Sequence, residues 1–335
     1  MSILEKALSH SKKIGIDECE IVTVEKKTTT VRITDSEIVE IKQNFDKKYG
    51  IRIIHQKKIV SIQTTDSQNI EKDIDNIFET ISNFKPREFW KGLPYKVSAR
   101  KIEGTFDDRL EEISGKNSMD IAQSMINSAD NEKINTITGS LNIVSEDFQL
   151  RNSQGLEFND KATYVSGIIN AESEQGNIPV SGIGHASGRT LSNFSKEQIG
   201  EDAKIMCIES INPQKIESDT YPIIFEPYSV GELLAFVVAS NFNFKTFTEK
   251  KSCFSNKLKE EIGIKEFNLI DDPYAPEGIG TKSVDDEGVE TQKKYLVEKG
   301  VFKNTFSNLF DSYKEGEQST GNASRPGSPM GRSSE

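Results

Sequence analysis

An α+β fold is predicted for this chain: two domains, each a largely antiparallel β-sheet with packed helices. Three observations predict it. Five short β-rich runs (CEIVTVEKKT, TVRIT, EIVEIKQ, YGIRIIH and KIVSIQTT) follow one another early in the chain, with polar residues alternating or lying between them. A second β-rich stretch follows, with strands near 134–150, 156–173 and 178–190. The length, 335 residues, suits two domains.

The elements follow in order. Ile3, Leu4, Ala7, Leu8 and Ile14 stand at helical spacing, and Gly15 stops that opening helix. After the five runs, Ile70, Ile74, Ile77, Phe78 and Ile81 mark a second helix. Pro86, Gly92 and Pro94 punctuate a loop around Trp90. Met119, Ala122, Met125, Ile126 and Ala129 make a third helix. The first domain is placed at 1–115 and the second at 116–314. Within the second, NSQG (152–155) and EQGN (174–177) are turns between strands. Ile199, Ala203, Met206 and Cys207 form the stripe of a helix capped near Ser195. YPIIFEP reads as a short strand ended by Pro227. The helix after it is apolar almost all round from Leu233, as a central core helix would be. Residues 315–335 read as a flexible polar tail.

The net charge is −11, unevenly spread: residues 1–100 hold 18 Lys/Arg against 15 Asp/Glu, and the remainder 24 against 38. An acidic surface repels phosphate backbones, and no Lys/Arg block is interleaved with aromatics, so direct nucleic-acid binding is not expected. Cys19, Cys207 and Cys253 are far apart and form no CxxC, which fits a reducing cytoplasm. The N-terminus lacks the apolar core of a secretory signal. The longest strictly apolar run, Leu233 to Ala239, is too short to span a bilayer, so no membrane partner is expected.

Candidate chemistry is sparse. No two of His10, His55 and His185 stand four apart, and none neighbours a cysteine, so spacing alone does not build a zinc site. His185 lies in the Gly-rich GIGHASG, flexible enough to serve a site, although a strand-end histidine with its hydrogen bonds met has the same signature. Asp271/Asp272 and Asp285/Asp286 with Glu287 could bind a hard cation through oxygen. Consecutive short carboxylates also serve as turn and cap residues that accept from backbone N–H groups. His185, Asp285, Asp286 and Glu287 are therefore the candidate metal ligands, beside that structural reading. Neither glycine-rich stretch has phosphate-loop spacing, and no GxSxG or SxxK occurs. Cys253 has basic neighbours that favour a thiolate, a feature it shares with ordinary surface cysteines.

A series of motifs in fixed order is more informative than any one of them. YGIRIIHQKKIVSIQTTD (from Tyr49), NSQG (Asn152), FEP (Phe225), IDDP (Ile270), VDDEGVET (Val284), EKGV (Glu298) and STGNASR (Ser319) together resemble the TldD/PmbA family, also called modulators of DNA gyrase. The likeness runs over essentially the whole chain. It implies a cytosolic two-domain α+β protein linked to zinc-dependent breakdown of peptides. The TldD-like branch carries HExxxH on the helix after the FEP-like strand: two histidines hold zinc and the glutamate activates its water. Here the matching helix reads GELLAF, with Glu232 at the base position but Gly231 and Phe236 where the histidines would stand.

The chain thus looks like the TldE/PmbA branch, which lacks the ligands. The resemblance implies a subunit that binds no cofactor itself, is inactive alone and assists a zinc-bearing TldD-like protease partner in the proteolysis of unfolded peptides. Two alternatives stand beside this. One is an independent metallopeptidase with a remodelled site using Glu232, the acidic loop and His185. The other is a regulatory binding protein of the gyrase-modulator type. Family members continue past the STGNASR motif with a further β-rich portion, so the second domain is expected to be incomplete here.

Overall fold

The structure, a computed structural model, describes residues 2–324. Helix α1 (Ile3–Lys13) opens with a capping box, in which Ser2 accepts from the Glu5 N–H and Glu5 accepts from the Ser2 N–H. Strands β1 (Glu18–Thr34), β2 (Glu37–His55) and β3 (Lys58–Thr64) then form a meander. Both turns place two successive residues at positive φ, Asp35-Ser36 and Gln56-Lys57, the conformation whose twist suits a two-residue hairpin. The five expected runs are therefore three strands. The polar stretches between them, such as KKTTT, contain no breaker and pair along their whole length.

Helix α2 (Ile70–Thr80), α3 (Asp108–Glu111) and α4 (Gly115–Ala129) lead to β4 (Thr136–Asn152), β5 (Glu157–Ser173) and β6 (Val180–Gly188). All six strands join one antiparallel sheet in the order β3-β2-β1-β4-β5-β6. β1 pairs with β4 from Glu20–Asn152 to Ile33–Gly139. Residue 115 is thus an element boundary, and the sheet runs continuously across it.

The period-2 alternation of the strands sorts the layers. Cys19, Ile21, Val31 and Ile33 of β1 point to one face. There α1 and α2 cover one end of the sheet, while α4 and α5 (Lys196–Glu209) cover the other. Gly182 and Gly184 let β6 lie directly on α5, where a Cβ would run into the backbone at Ile199, Ala203 and Cys207. The opposite face carries Val22, Leu150 and Ile54, and is covered by the Trp90–Leu93 loop and by residues from the C-terminal region.

That region contains α6 (Pro227–Leu233), α7 (Phe244–Thr248), β7 (Leu269–Asp271), β8 (Lys294–Glu298), β9 (Val301–Phe302) and α8 (Leu309–Lys314). β7-β8-β9 form a small antiparallel sheet around Phe242, Leu296, Val297 and Phe302. The protein is thus α+β with antiparallel sheets.

Three local expectations are corrected. YPIIFEP forms no strand: 213–226 is irregular and exposed, because no described strand pairs with it, and Ile224 is 97% exposed. The helix from Leu233 is no core helix. It passes into a π-helical segment, Leu234–Val238, and a 3-10 turn, Ala239–Phe242, and only Phe242 is buried, among the aromatics of the small sheet. Part of the expected tail is held in place. The Ala323 N–H donates to Asp285, the Thr320 N–H to Ser307 Oγ, and Asn322 Nδ2 to Asp271. Residues 325–335 lie outside the described residues.

Candidate functional site

The acidic loop 284–291 is built into the protein rather than displayed on it. Asp285 is fully buried, and its carboxylate accepts from the N–H groups of Glu287, Val289 and Ala323. Burial, followed by the charge of Glu287, pushes its carboxyl up to about 7, against the opposing pull of those N–H groups. Glu287 reaches across to the sheet: Arg52 of β2 donates to it at 2.7 Å and to Glu20 of β1 at 3.0 Å. The other Glu287 oxygen accepts from the Leu309 N–H and so caps the approach to α8. Asp286 pairs with Lys282, Asp272 with Lys293, and Asp271 with Lys294. Asp285, with the N–H groups of Glu287 and Val289, and Asp272, with that of Tyr274, make the local turn bonds that consecutive short acids favour, while Asp271, Asp286 and Glu287 are held by cations.

His185 and Glu232 meet through a third residue. With Gly182 and Gly184 turned to α5, His185 projects from the opposite face of β6, where its ring lies 3.9 Å from that of Tyr228. A hydrogen bond from the Tyr228 phenol to Glu232 raises the phenol's pKa, with the carboxylate's charge adding to the effect. Pro227 at the first helical position sets the start of α6. All three side chains are solvent-exposed. Cys253 is exposed too, whereas Cys19 and Cys207 are buried.

The helix-free face of β4 and β5 holds a cavity that sequence reading missed. Glu146 and Phe148 on β4, with Phe158, Asp160, Ala162 and Tyr164 on β5, are alternate residues and so share that face. The segment Ile279–Asp286 roofs them, leaving an inner chamber of about 150 Å³. Arg189 is its strut. It donates to the carbonyls of Thr105, Ile279 and Thr281 and stacks 4.4 Å from the Tyr164 ring. Phe158, Asp160 and Lys282 also line an adjoining outer cleft of about 510 Å³, bounded by 99–106. At the neck, burial raises the Asp160 carboxyl, while the Lys161 N–H and the charges of Arg189 and Lys282 oppose the shift and that of Glu146 adds to it. The alternation F-x-D-x-A-x-Y, an acid between aromatics on one strand face, was the available signal.

Comparison with known proteins reads directly onto this framework. Residues 19–83 match a family model described as PmbA/TldA metallopeptidase domain 1, and residues 218–334 match PmbA/TldA metallopeptidase C-terminal domain, together more than half of the chain. This chain belongs to the PmbA/TldD family. An uncharacterized protein of Methanocaldococcus jannaschii is 25% identical over 325 residues, 96% of this chain and 74% of that protein. The metalloprotease PmbA homolog of Buchnera aphidicola is 23% identical, over 89% of this chain and 68% of its own length.

Two solved structures share the fold. One, described as a modulator of a DNA gyrase from Thermotoga maritima, superposes with a TM-score of 0.89 at 24% identity, over 98% of this chain and 75% of its own. The other, TldE from Thermococcus kodakarensis, gives 0.89 at 22%, over 97% and 74%.

For a PmbA/TldD protein the question at α6 is whether its residues fit zinc. They do not. Gly231 offers no side chain, Phe236 offers a hydrocarbon ring, and Glu232 is engaged by Tyr228. Among the described residues, no three His, Cys, Asp or Glu side chains come together in a way that could hold a metal ion, so His185 does not join Asp285, Asp286 and Glu287.

Histidines in HExxxH would be five residues apart, a spacing that an ordinary α-turn splays round the helix. A π-turn, with its i→i+5 hydrogen bond, brings such positions toward one face. The π-helical segment Leu234–Val238, with the Ala239 N–H bonded to Leu234 O, contains Phe236 but begins three residues after Gly231, so this turn does not enclose the Gly231–Phe236 pair.

Proposed function

We propose that this chain is a non-catalytic, TldE/PmbA-like subunit that assists a TldD-like zinc metalloprotease in degrading unfolded peptides in the cytosol. The observation that carries the reading is the sequence GELLAF, which begins on α6, with Gly231 and Phe236 where the family resemblance would place zinc-binding histidines. Zinc, its activated water and the cleavage step belong in this reading to the partner. The likeness to TldE of Thermococcus kodakarensis supports it at the level of fold. Among the described residues no helix is long and apolar enough to cross a membrane.

The test is reconstitution. The chain should co-purify with a TldD-like protein, and unfolded casein should be cleaved only when both are present. Full cleavage by the TldD-like protein alone would remove the subunit reading. The His185–Tyr228–Glu232 line favours one other reading, a hydrolase acting by itself. Peptide turnover by the purified chain that disappears in Glu232→Ala would establish that instead.

A further inference from the structure

The two adjoining cavities on the helix-free side of β5 have the form of a peptide-terminus site. The outer cleft presents Arg100, Lys101, Lys161 and Lys282 against Glu103 and Asp160, a cationic rim on a chain whose net charge is −11. Two of these cations already have partners, Lys161 with Glu111 and Lys282 with Asp286. Arg100 is steadied on the Tyr274 ring at 5.0 Å and Lys101 is exposed, so both are placed to meet an anion. Segment 91–102 belongs to no helix or strand; Glu18 and Glu290 take the N–H groups of Leu93 and Ser98, and 99–102 is the part that lines the cleft, where an incoming chain would meet backbone.

Behind the rim, Phe148, Phe158, Ala162, Tyr164 and Val284 form the apolar wall of the inner chamber, and Glu146, Asp160, Asp286 and Lys282 also line it. Its roughly 150 Å³ is about the size of a cavity known to accept benzene, and so of an aromatic or large aliphatic side chain. Arg189 does not compete for a ligand, because carbonyls of Thr105, Ile279 and Thr281 already take its donors.

A carboxylate held at the mouth with an apolar side chain one step inside describes the last residue of a peptide. We propose that this double cavity binds peptide C-termini, the free carboxylate at Arg100 and Lys101 and an apolar terminal side chain in the inner chamber. Asp160 stands at the neck, where the peptide's last amide would pass. The proposal rests on the peptide-handling part of the function proposed above and assigns it a site.

The probe is a fluorescein-labelled octapeptide of Gly and Ser ending in Phe, read by fluorescence anisotropy on the full chain. The free-acid form should bind about tenfold more tightly than its C-terminal amide, the ratio a charge-assisted contact gives. Lys101→Glu, an exposed change, should abolish that preference without moving the melting temperature. Ala162→Met should weaken the Phe-ended peptide and leave a Gly-ended one unaffected. Acid and amide binding alike, or Lys101→Glu binding as wild type does, overturns the site. So does inorganic phosphate displacing the peptide with a tighter constant than the acid peptide itself shows, which would make the rim a small-anion site. None of these outcomes touches co-purification with a TldD-like partner. Cleavage by that partner alone would sink the subunit reading while leaving the acid-over-amide ratio as measured.

Discussion

Two segments of the C-terminal region invert the usual relation between polarity and burial. The acidic loop 284–291 is polar and inside; the stretch 223–238 is apolar and outside, with Phe236 81% exposed. The difference lies in what each can pair with. Asp285 has three N–H donors and Glu287 has Arg52, so desolvation of the acids is compensated bond by bond. Ile223, Ile224, Phe225 and Phe236 have no apolar layer over them in the described residues. Burial is decided by available partners, and hydrophobicity alone does not supply one.

The most severe way to break the buried half is to remove its cation. Arg52 stands between Glu20 and Glu287 with all three side chains buried, and it joins the N-terminal hairpin to the C-terminal loop. Arg52→Met removes the guanidinium that donates to both buried carboxylates and should cost about 3–5 kcal/mol in urea denaturation. Replacing Glu20 and Glu287 by Leu in the same chain should recover most of that loss. If the single substitution were neutral, the loop would not be anchored through this triad.

A smaller effect comes from Asp285, and its sign follows from its raised pKa. The folded carboxyl keeps its proton up to about 7, whereas the unfolded residue releases it near 3.8. Between those values the folded state binds more protons, so this contribution to stability is complete at low pH and is lost as the pH rises towards 7. The advantage of the wild type over Asp285→Asn should therefore be larger near about pH 4 than near about pH 8, by up to a few kcal/mol. Denaturation curves of both proteins at the two pH values measure it, and a constant difference would mean that Asp285 does not carry the proton.

The same contrast explains what could be read from the sequence. Period-2 alternation announced β1 to β6, and Asp272 and Asp285 were legible as turn formers because each accepts from backbone N–H groups two to four residues on, whereas the reach of Glu287 to Arg52 has no local signal. Pairing between β1 and β4, more than a hundred residues apart, has no local signature, so the single sheet was not visible as one. YPIIFEP was misread for the complementary reason: its residues favour a strand, but a strand needs a neighbour, and none of the described strands lies alongside it. The cavity escaped notice because Asp160, Arg189 and Lys282 come from distant segments that only the fold assembles.

On the exposed half, stability effects should nearly vanish. Phe236→Ser removes a large apolar side chain, yet one that already stands in water. Its melting curve should correspond to a change within about 0.5 kcal/mol. A loss of several times that size would show that the ring is covered in solution, which makes this substitution a direct probe of whether anything sits on 223–238.

The smallest expected effect is at the exposed Tyr228–Glu232 pair. Tyr228→Phe and Glu232→Gln should each leave the melting temperature unchanged within error, because a solvent-exposed hydrogen bond exchanges with water at little net cost. The pair should nonetheless be visible in titration. The Glu232 carboxylate accepts from the phenol and so holds its proton on, raising its pKa. In spectrophotometric titration, the component absent from Tyr228→Phe should ionise at higher pH than an ordinary tyrosine, and Glu232→Gln should move that component down. A shifted phenol without any stability change would locate the coupling on the surface of α6, whereas a stability change in either variant would place these side chains under cover and bring this half of the region closer to the buried one.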